Sequence, residues 1–159
     1  MSEAADFTAL AKLKPAEALA YLQRRHKLTV TYSAVDLWQG EHAAQFTISR
    51  LTQLDLLAAL QKGITDSVAG DLSRRDWVRS SKALLQKSGW WGDNTVTDPT
   101  GKEVNTKFDN ARLKLIFDTN TRQAYAAGLW ERAQRNKATD PFLRYITQRD
   151  EKVREAHRN

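Results

Sequence analysis

The longest uninterrupted helical pattern in the sequence covers residues 108–137, and it limits the folds that the chain can adopt. Roughly thirty residues at about 1.5 Å each would form a helix about 45 Å long if nothing breaks it. Asn120 lies on the apolar stripe of this pattern. Either it is buried with a hydrogen-bond partner, or the helix breaks near the sequence DTNT, where Thr and Asn are good N-cap residues. The apolar residues of the stripe are Leu113, Ile116, Phe117, Ala124 and Ala127.

Residues that favour helix starts and stops divide the preceding sequence into shorter helical segments. Pro15 suits the first turn of one helix, because its missing N–H costs nothing there. Ser33 and Asp36 have the spacing of a capping box, which would open a second helix. Gly70 and Gly89 suit the positions that end helices. The predicted helices cover residues 14–26, 33–50, 51–71 and 73–89, and a β-branched stretch over 27–32 predicts a short strand.

A change of pattern follows Gly89. The sequence DPTG at 98–101 has the residue order of a type I turn, and it lies between two short stretches that suit strands. Residues 142–148 alternate in a way that predicts a further strand. We therefore expect a mainly α protein, with a helical region over 1–89, a hairpin linker over 90–106 and a small α+β module over 107–159 that holds the long helix and the last strand.

The sequence lacks the residues that disulfides, metal sites and common catalytic or nucleotide-binding motifs need. The 159 residues include no cysteine, so the chain has no disulfide and no thiolate metal ligand. His26, His42 and His157 do not have the spacing of a metal site. No nucleophile motif, phosphate-binding loop or dinucleotide-binding loop is present. We expect no catalytic residues, no bound metal, no cofactor and no membrane span, since no apolar run is long enough to cross a bilayer.

The net charge of +6 is concentrated after residue 60. Residues 61–159 contain nineteen of the 25 basic residues and thirteen of the 19 acidic ones. Arg75, Arg79 and Lys82 share one face of a predicted helix, which could follow the phosphates of a nucleic acid. The alternative interpretation is a solvated basic surface, because acidic residues are interspersed along the whole chain.

The five tryptophans divide into two groups. Trp38, Trp77 and Trp130 fall within predicted helices, where aromatic residues are usually part of the core. Trp90 and Trp91 follow a helix stop, and two adjacent rings cannot easily face the same core. At least one of the pair is therefore expected to stay partly exposed, where it could anchor a partner protein.

The sequence RDEKVREAH near the end of the chain is the best candidate for a polar site. A turn could bring Asp150, Arg154 and His157 together. The spacing alone is weak support for chemistry, because such a pattern recurs by chance.

The order of motifs from residue 14 to the end resembles phage head morphogenesis proteins similar to protein F of phage Mu. The first helix supplies Pro15, Glu17, Ala18, Leu19, Tyr21 and Leu22, and the next segment supplies Trp38, Glu41, His42, Phe46, Thr47 and Ile48. The sequence GWWG at 89–92 and the DPTG turn follow. The long helix supplies Arg112, Ile116, Phe117, Thr119, Asn120, Ala124, Tyr125, Ala127 and Gly128, and the chain closes with Tyr145, Asp150, Arg154 and His157.

This resemblance implies a minor head protein of a tailed phage or prophage, which is assembled in the bacterial cytoplasm and becomes part of the virion. Its implied partners are the portal protein and capsid or scaffold proteins, and some relatives contact DNA, so weak DNA binding is the alternative. The resemblance also implies a polar cluster of Asn120, Tyr145, Asp150, Arg154 and His157. Family members normally continue with further strands, whereas this chain ends two residues after His157. The α+β module is therefore expected to be cut short at its C-terminus.

Overall fold

The long helix predicted from the sequence is unbroken in the computed structural model, which describes residues 15–38 and 40–142. In chain order, the helices are α1 (Ala16–Arg24), α2 (Glu41–Ala44), α3 (Leu54–Val68), α4 (Arg74–Lys87) and α5 (Asn110–Arg135), and the strands are β1 (Lys27–Leu28), β2 (Gln45–Phe46), β3 (Gly92–Thr97) and β4 (Glu103–Phe108). The fold is mainly α with a small α+β module, as predicted. None of the described helices is long and apolar enough to cross a bilayer.

Helix α5 begins where Asp109 accepts a hydrogen bond from the backbone N–H of Arg112, at 2.8 Å. The helix continues through the sequence DTNT instead of breaking there. Asn120 is buried on its inner face, where its side chain has hydrogen-bond partners. Of the two alternatives left open by the sequence, burial of Asn120 is therefore the correct one.

The predicted hairpin is present and antiparallel. It pairs Gly92 with Phe108 at one end and Thr97 with Glu103 at the other. At the turn, the carboxylate of Asp98 accepts hydrogen bonds from the backbone N–H groups of Thr100 and Lys102. This carboxylate holds the turn closed from within, as Asp at the first turn position commonly does.

The prediction of one helix over residues 33–50 is wrong. The capping box of Ser33 and Asp36 does form, but it opens only a 3₁₀ turn over Ala34–Asp36. After α2, the chain turns into β2, which pairs in parallel with β1 and buries Phe46 completely. Strand pairing and burial of Phe46 therefore override the helical spacing of this segment. Trp38 is 77% exposed, so the prediction that it belongs to the core is also wrong.

Helices α3, α4 and α5 enclose the main core around Trp77. The Trp77 ring is 1% exposed, and its centroid lies 5.2 Å from that of Phe117. Its indole N–H donates to the carbonyl of Leu60 at 3.3 Å. Trp77 thus meets the sequence prediction, whereas Trp130 is 57% exposed and does not.

The sequence spacing predicts that Leu51, Leu54, Leu57, Ala58 and Ile64 share one side of the segment that contains α3. Leu54 is 49% exposed, however, and the helix buries a stripe that continues to its last turn. The buried residues of α3 are Leu56, Leu57, Leu60, Ile64 and Val68. Helices α3 and α4 end before Gly70 and Gly89, which have φ of 87° and 73°, as their stop signals predicted. Residues 143–148 of the predicted last strand lie outside the described residues.

The packing of Trp77 predicts a strong effect of adding one methyl group to α3. A Cβ at Gly63 would lie 2.7 Å from two atoms of the Trp77 ring, which is too close for any carbon contact. We expect Gly63→Ala to lower the free energy of unfolding by about 1–3 kcal/mol, because the buried ring has no free space to move into. Thermal denaturation followed by circular dichroism measures this.

Gly40→Ala is the matched control, because a Cβ at Gly40 meets nothing within 4 Å and its φ is −70°. Its melting temperature should be unchanged or slightly higher. Equal effects of the two substitutions would contradict this account of the core.

Candidate functional site

The side chain of Arg25 is the most unusual charged group in the described part of the chain. Arg25 directly follows α1 and is only 5% exposed. Its Nε donates to the backbone carbonyl of Gln45 at 3.1 Å, and its Nη1 donates to the side-chain oxygen of Asn120 at 3.0 Å. The guanidinium also lies 5.7 Å and 5.5 Å from the ring centroids of Tyr21 and Phe46. These contacts fix its orientation.

Asn120 connects this arginine to the long helix. Its side-chain oxygen accepts from Arg25, and its Nδ2 donates to the carbonyl of Ile116 one turn earlier, at 2.8 Å. Both ends of the buried amide are therefore satisfied, and this explains why a polar residue is tolerated on the apolar stripe.

Arg25 and Asn120 lie in the wall of a cleft of about 470 Å³. The cleft is formed where the end of α1, the α2–β2 segment and the middle of α5 meet. Its lining residues are Tyr21, Arg25, His42, Ala43, Thr47, Thr119, Asn120 and Gln123. Tyr21, His42, Thr47, Thr119 and Asn120 are among the residues that carry the family resemblance, and the fold brings them together from three separate motifs.

The electrostatics of the cleft are set by a single buried positive charge. Burial lowers the pKa of Arg25, because desolvation disfavours the charged guanidinium. The guanidinium stays protonated at neutral pH even so, because an arginine side chain does not lose its proton in proteins. No aspartate or glutamate within residues 15–38 and 40–142 forms an ion pair with it. Among the described residues, the charge is therefore held by neutral groups.

The two adjacent tryptophans lie at the start of the hairpin, and both are partly buried. The Trp90 ring meets the buried ring of Phe108 edge-on, with centroids 5.9 Å apart. The ammonium group of Lys82 lies 5.1 Å from the centroid of the Trp91 ring. Both rings pack against the core, and the Trp91 ring also contacts Lys82 of α4.

The predicted basic face on α4 is less uniform than its sequence suggests. Arg79 forms an ion pair with Asp76 at 2.8 Å, and Lys82 lies over Trp91. A hydrogen bond from Ser73 is the main reason why the pKa of Asp76 is below its ordinary value, and Arg79 lowers it further. Arg75 is exposed on the same helix.

A second group of basic residues was missed by the sequence analysis. Arg50 and Arg112 line a shallow cavity of about 500 Å³ beside the hairpin, together with Lys107. Arg50 donates to the carbonyl of Asn105 at 2.7 Å, and Arg112 donates to the carbonyl of Lys107 at 2.9 Å. The two arginines thus cap the outer edge of β4. Burial and the nearby charge of Arg50 lower the pKa of Arg112.

Four residues of the predicted polar cluster lie outside the described residues, namely Tyr145, Asp150, Arg154 and His157. Asn120 is the only member of that predicted cluster in the described part, and there its partner is Arg25. The sequence gives one indirect hint of the role of Arg25: a buried polar residue such as Asn120 on an apolar stripe needs a hydrogen-bond partner. The position of Arg25 at a helix end suggested a solvated charge instead.

Comparison with known proteins supports the family resemblance. The chain matches no protein-family model and no solved structure. It is 29% identical to the capsid assembly protein F of Escherichia phage Mu, over 96% of this chain and 35% of that protein. The chain is therefore similar to protein F along most of its own length. A Mu-like prophage F protein of Haemophilus influenzae is 25% identical over 82% of this chain and 31% of that protein. The chain thus spans about a third of the length of these relatives.

The buried hydrogen bond between Arg25 and Asn120 predicts a specific effect on stability. Asn120→Leu should lower the free energy of unfolding by about 1–3 kcal/mol, because it leaves a buried guanidinium N–H without an acceptor. Thermal and urea denaturation of the variant measure this loss.

A double-mutant cycle provides the control. Arg25→Met combined with Asn120→Leu removes both partners, so its cost should be smaller than the sum of the two single costs. Strictly additive costs would show that the two side chains do not depend on each other.

Proposed function

We propose that the protein is a minor head protein of a tailed phage or prophage, which acts in capsid assembly and is associated with the portal vertex. The observation that carries this proposal is the similarity over 96% of the chain to a protein named for capsid assembly. On this proposal, the protein enters the head during assembly in the bacterial cytoplasm. Its partners are the portal protein and capsid or scaffold proteins.

The chemistry of the Arg25 cleft supports a binding role more than a catalytic one. The cleft presents a guanidinium, amides and hydroxyls, which suit recognition through hydrogen bonds. Within the described residues, His42 makes no hydrogen bond to a hydroxyl of the cleft. Covalent catalysis needs a nucleophile paired with a base, so the described lining supports binding better than catalysis.

Trp91 is the side chain that we propose for docking to a head partner, with Trp90 as its support. The Trp90 ring is tied to the hairpin core through Phe108, whereas the Trp91 ring contacts a lysine at the surface. An aromatic ring that is partly exposed on a rigid element can contribute about 2 kcal/mol or more to an interface.

Substitution of the two tryptophans should separate folding from docking. Trp90→Ala should lower the melting temperature, because it removes an edge-to-face contact with buried Phe108. Trp91→Ala should stay folded by circular dichroism but no longer sediment with assembled heads. Lys87→Ala, an exposed change at the end of the same helix as Lys82, is the control and should be incorporated normally.

Two results would contradict this proposal for Trp91. If Trp91→Ala unfolds, the ring is a core residue. If it is folded and fully incorporated, docking uses another surface. Failure of the unaltered chain to enter procapsids or to co-purify with a portal ring would overturn the proposed function itself.

Binding of packaged DNA through α4 is the second candidate, and the exposed Arg75 and Arg79 favour it. Because Arg79 is paired with Asp76, we expect the binding to be weak and strongly dependent on salt. Even six neutralised phosphates would give a log–log salt slope of only about −5.

Salt titrations of DNA binding test the second candidate. Replacing Arg75, Arg79 and Lys82 with glutamine should make the slope shallower by up to about 3, or nearly one for each phosphate that is no longer neutralised. Replacing Lys114 and Arg122, on the exposed side of α5, with glutamine is the control and should leave the slope unchanged. A sequence-specific complex that survives high salt would contradict this expectation.

A further inference from the structure

We infer that the Arg25 cleft binds a carboxylate presented by a partner protein. The first reason is that Arg25 is buried without a carboxylate partner in the described part of the chain. A buried charge that is held by neutral groups keeps part of its desolvation cost, and a bound anion would reduce that cost. That the partner is a head protein rests on the proposed function, but the binding chemistry does not.

The second reason is that the guanidinium of Arg25 is held in a fixed orientation while some of its N–H groups have no described acceptor. A guanidinium has five N–H groups, and described groups accept from Nε and from Nη1 only. No buried side-chain nitrogen or oxygen in the described part lacks a hydrogen-bond partner. Nη2 has no partner among the described residues, and the cleft is the space that Arg25 lines.

The surroundings of Arg25 favour a carboxylate on a short stem over the backbone of a nucleic acid. The guanidinium is recessed, so a ligand must extend into the cleft to reach it. In the cleft wall, the Tyr21 ring and Ala43 can contact the methylene groups of such a ligand. Thr47 and Gln123 can donate hydrogen bonds to its carboxylate. Nucleic-acid binding instead relies on many exposed cations along a surface, and the described lining of this cleft contains one arginine and no lysine.

Aspartate or glutamate side chains meet these requirements, because each carries a carboxylate on one or two methylene groups. Arginine binds carboxylates through two parallel N–H···O bonds, and its preset orientation reduces the entropy lost on binding. Asn120 and Gln45 supply that orientation here. We therefore assign the cleft to an acidic segment of the partner.

Nuclear magnetic resonance on the whole chain tests the inference directly. The probe is a blocked peptide of four glutamates, and the control peptide contains four glutamines. Titration with the glutamate peptide should shift the Arg25 Nε–H and Asn120 side-chain amide signals in a saturable way. The glutamine peptide should leave both signals in place.

Two variants test the role of the charge, and the second leaves Arg25 and its contacts with the fold in place. Arg25→Gln should weaken binding of the glutamate peptide about tenfold or more, because it removes the charge that the carboxylate meets. Gln123→Glu places a carboxylate on the cleft wall, where it should occupy the arginine, raise the melting temperature and also weaken binding. Gln134→Glu, exposed eleven positions further along α5 and about 16 Å away, is the matched control and should bind normally.

The alternative outcomes are distinct. Absence of any shift with the glutamate peptide overturns the inference, as does equal binding by Gln123→Glu and the unaltered chain. Equal shifts with a six-nucleotide thymidine strand would assign the cleft to phosphate and overturn the choice of a carboxylate. If Gln123→Glu enters procapsids normally, head assembly does not need the cleft, and the head partner is ruled out as the source of the carboxylate. Entry of the unaltered chain into procapsids tests the proposed function separately.

Discussion

The buried guanidinium of Arg25 holds together the parts of the fold that the sequence places far apart. Its side chain joins the end of α1 to β2 through the carbonyl of Gln45 and to α5 through Asn120. Its own carbonyl accepts from the side chain of Gln61 at 2.5 Å, which adds α3. Four elements therefore meet at one residue. Burying a charge there is costly, and it is tolerated because two oriented oxygens and two aromatic rings replace the lost water.

Helix α5 provides the surface on which the other helices are arranged. Gly128 allows α1 to approach closely, since a Cβ at that position would lie 3.0 Å from the backbone nitrogen of Ala18. At the periphery, Arg74 forms two hydrogen bonds of 2.7 Å with Asp118, and Glu17 accepts from Arg132 and Arg135. The basic partners lower the pKa of Asp118, and a backbone hydrogen bond is the main cause of the lowered pKa of Glu17. Such exposed pairs contribute little individually and mainly orient the helices.

The sequence predicted those elements whose signals are local. Caps and left-handed glycines gave the ends of α3 and α4, and the DPTG turn gave the hairpin, because these depend on a few neighbouring residues. The segment over residues 33–50 was mispredicted because its structure depends on pairing with β1, whose residues lie eighteen positions before their partners in β2. The burial of Asn120 was predictable from its place on the stripe. Its partner Arg25 was not, since nothing local links residues separated by 95 positions.

A recessed cation favours selectivity over strength of binding. An exposed arginine attracts any anion, whereas a ligand of the recessed Arg25 has to enter the cleft beside Tyr21 and Thr47. Binding there would also act on the fold, because a ligand that binds only the folded chain stabilises it to an extent set by its concentration and affinity. The elements that meet at Arg25 would be held more tightly when the cleft is occupied. An assembly partner could in this way dock on the protein and strengthen the junction between α1 and α5 in the same event.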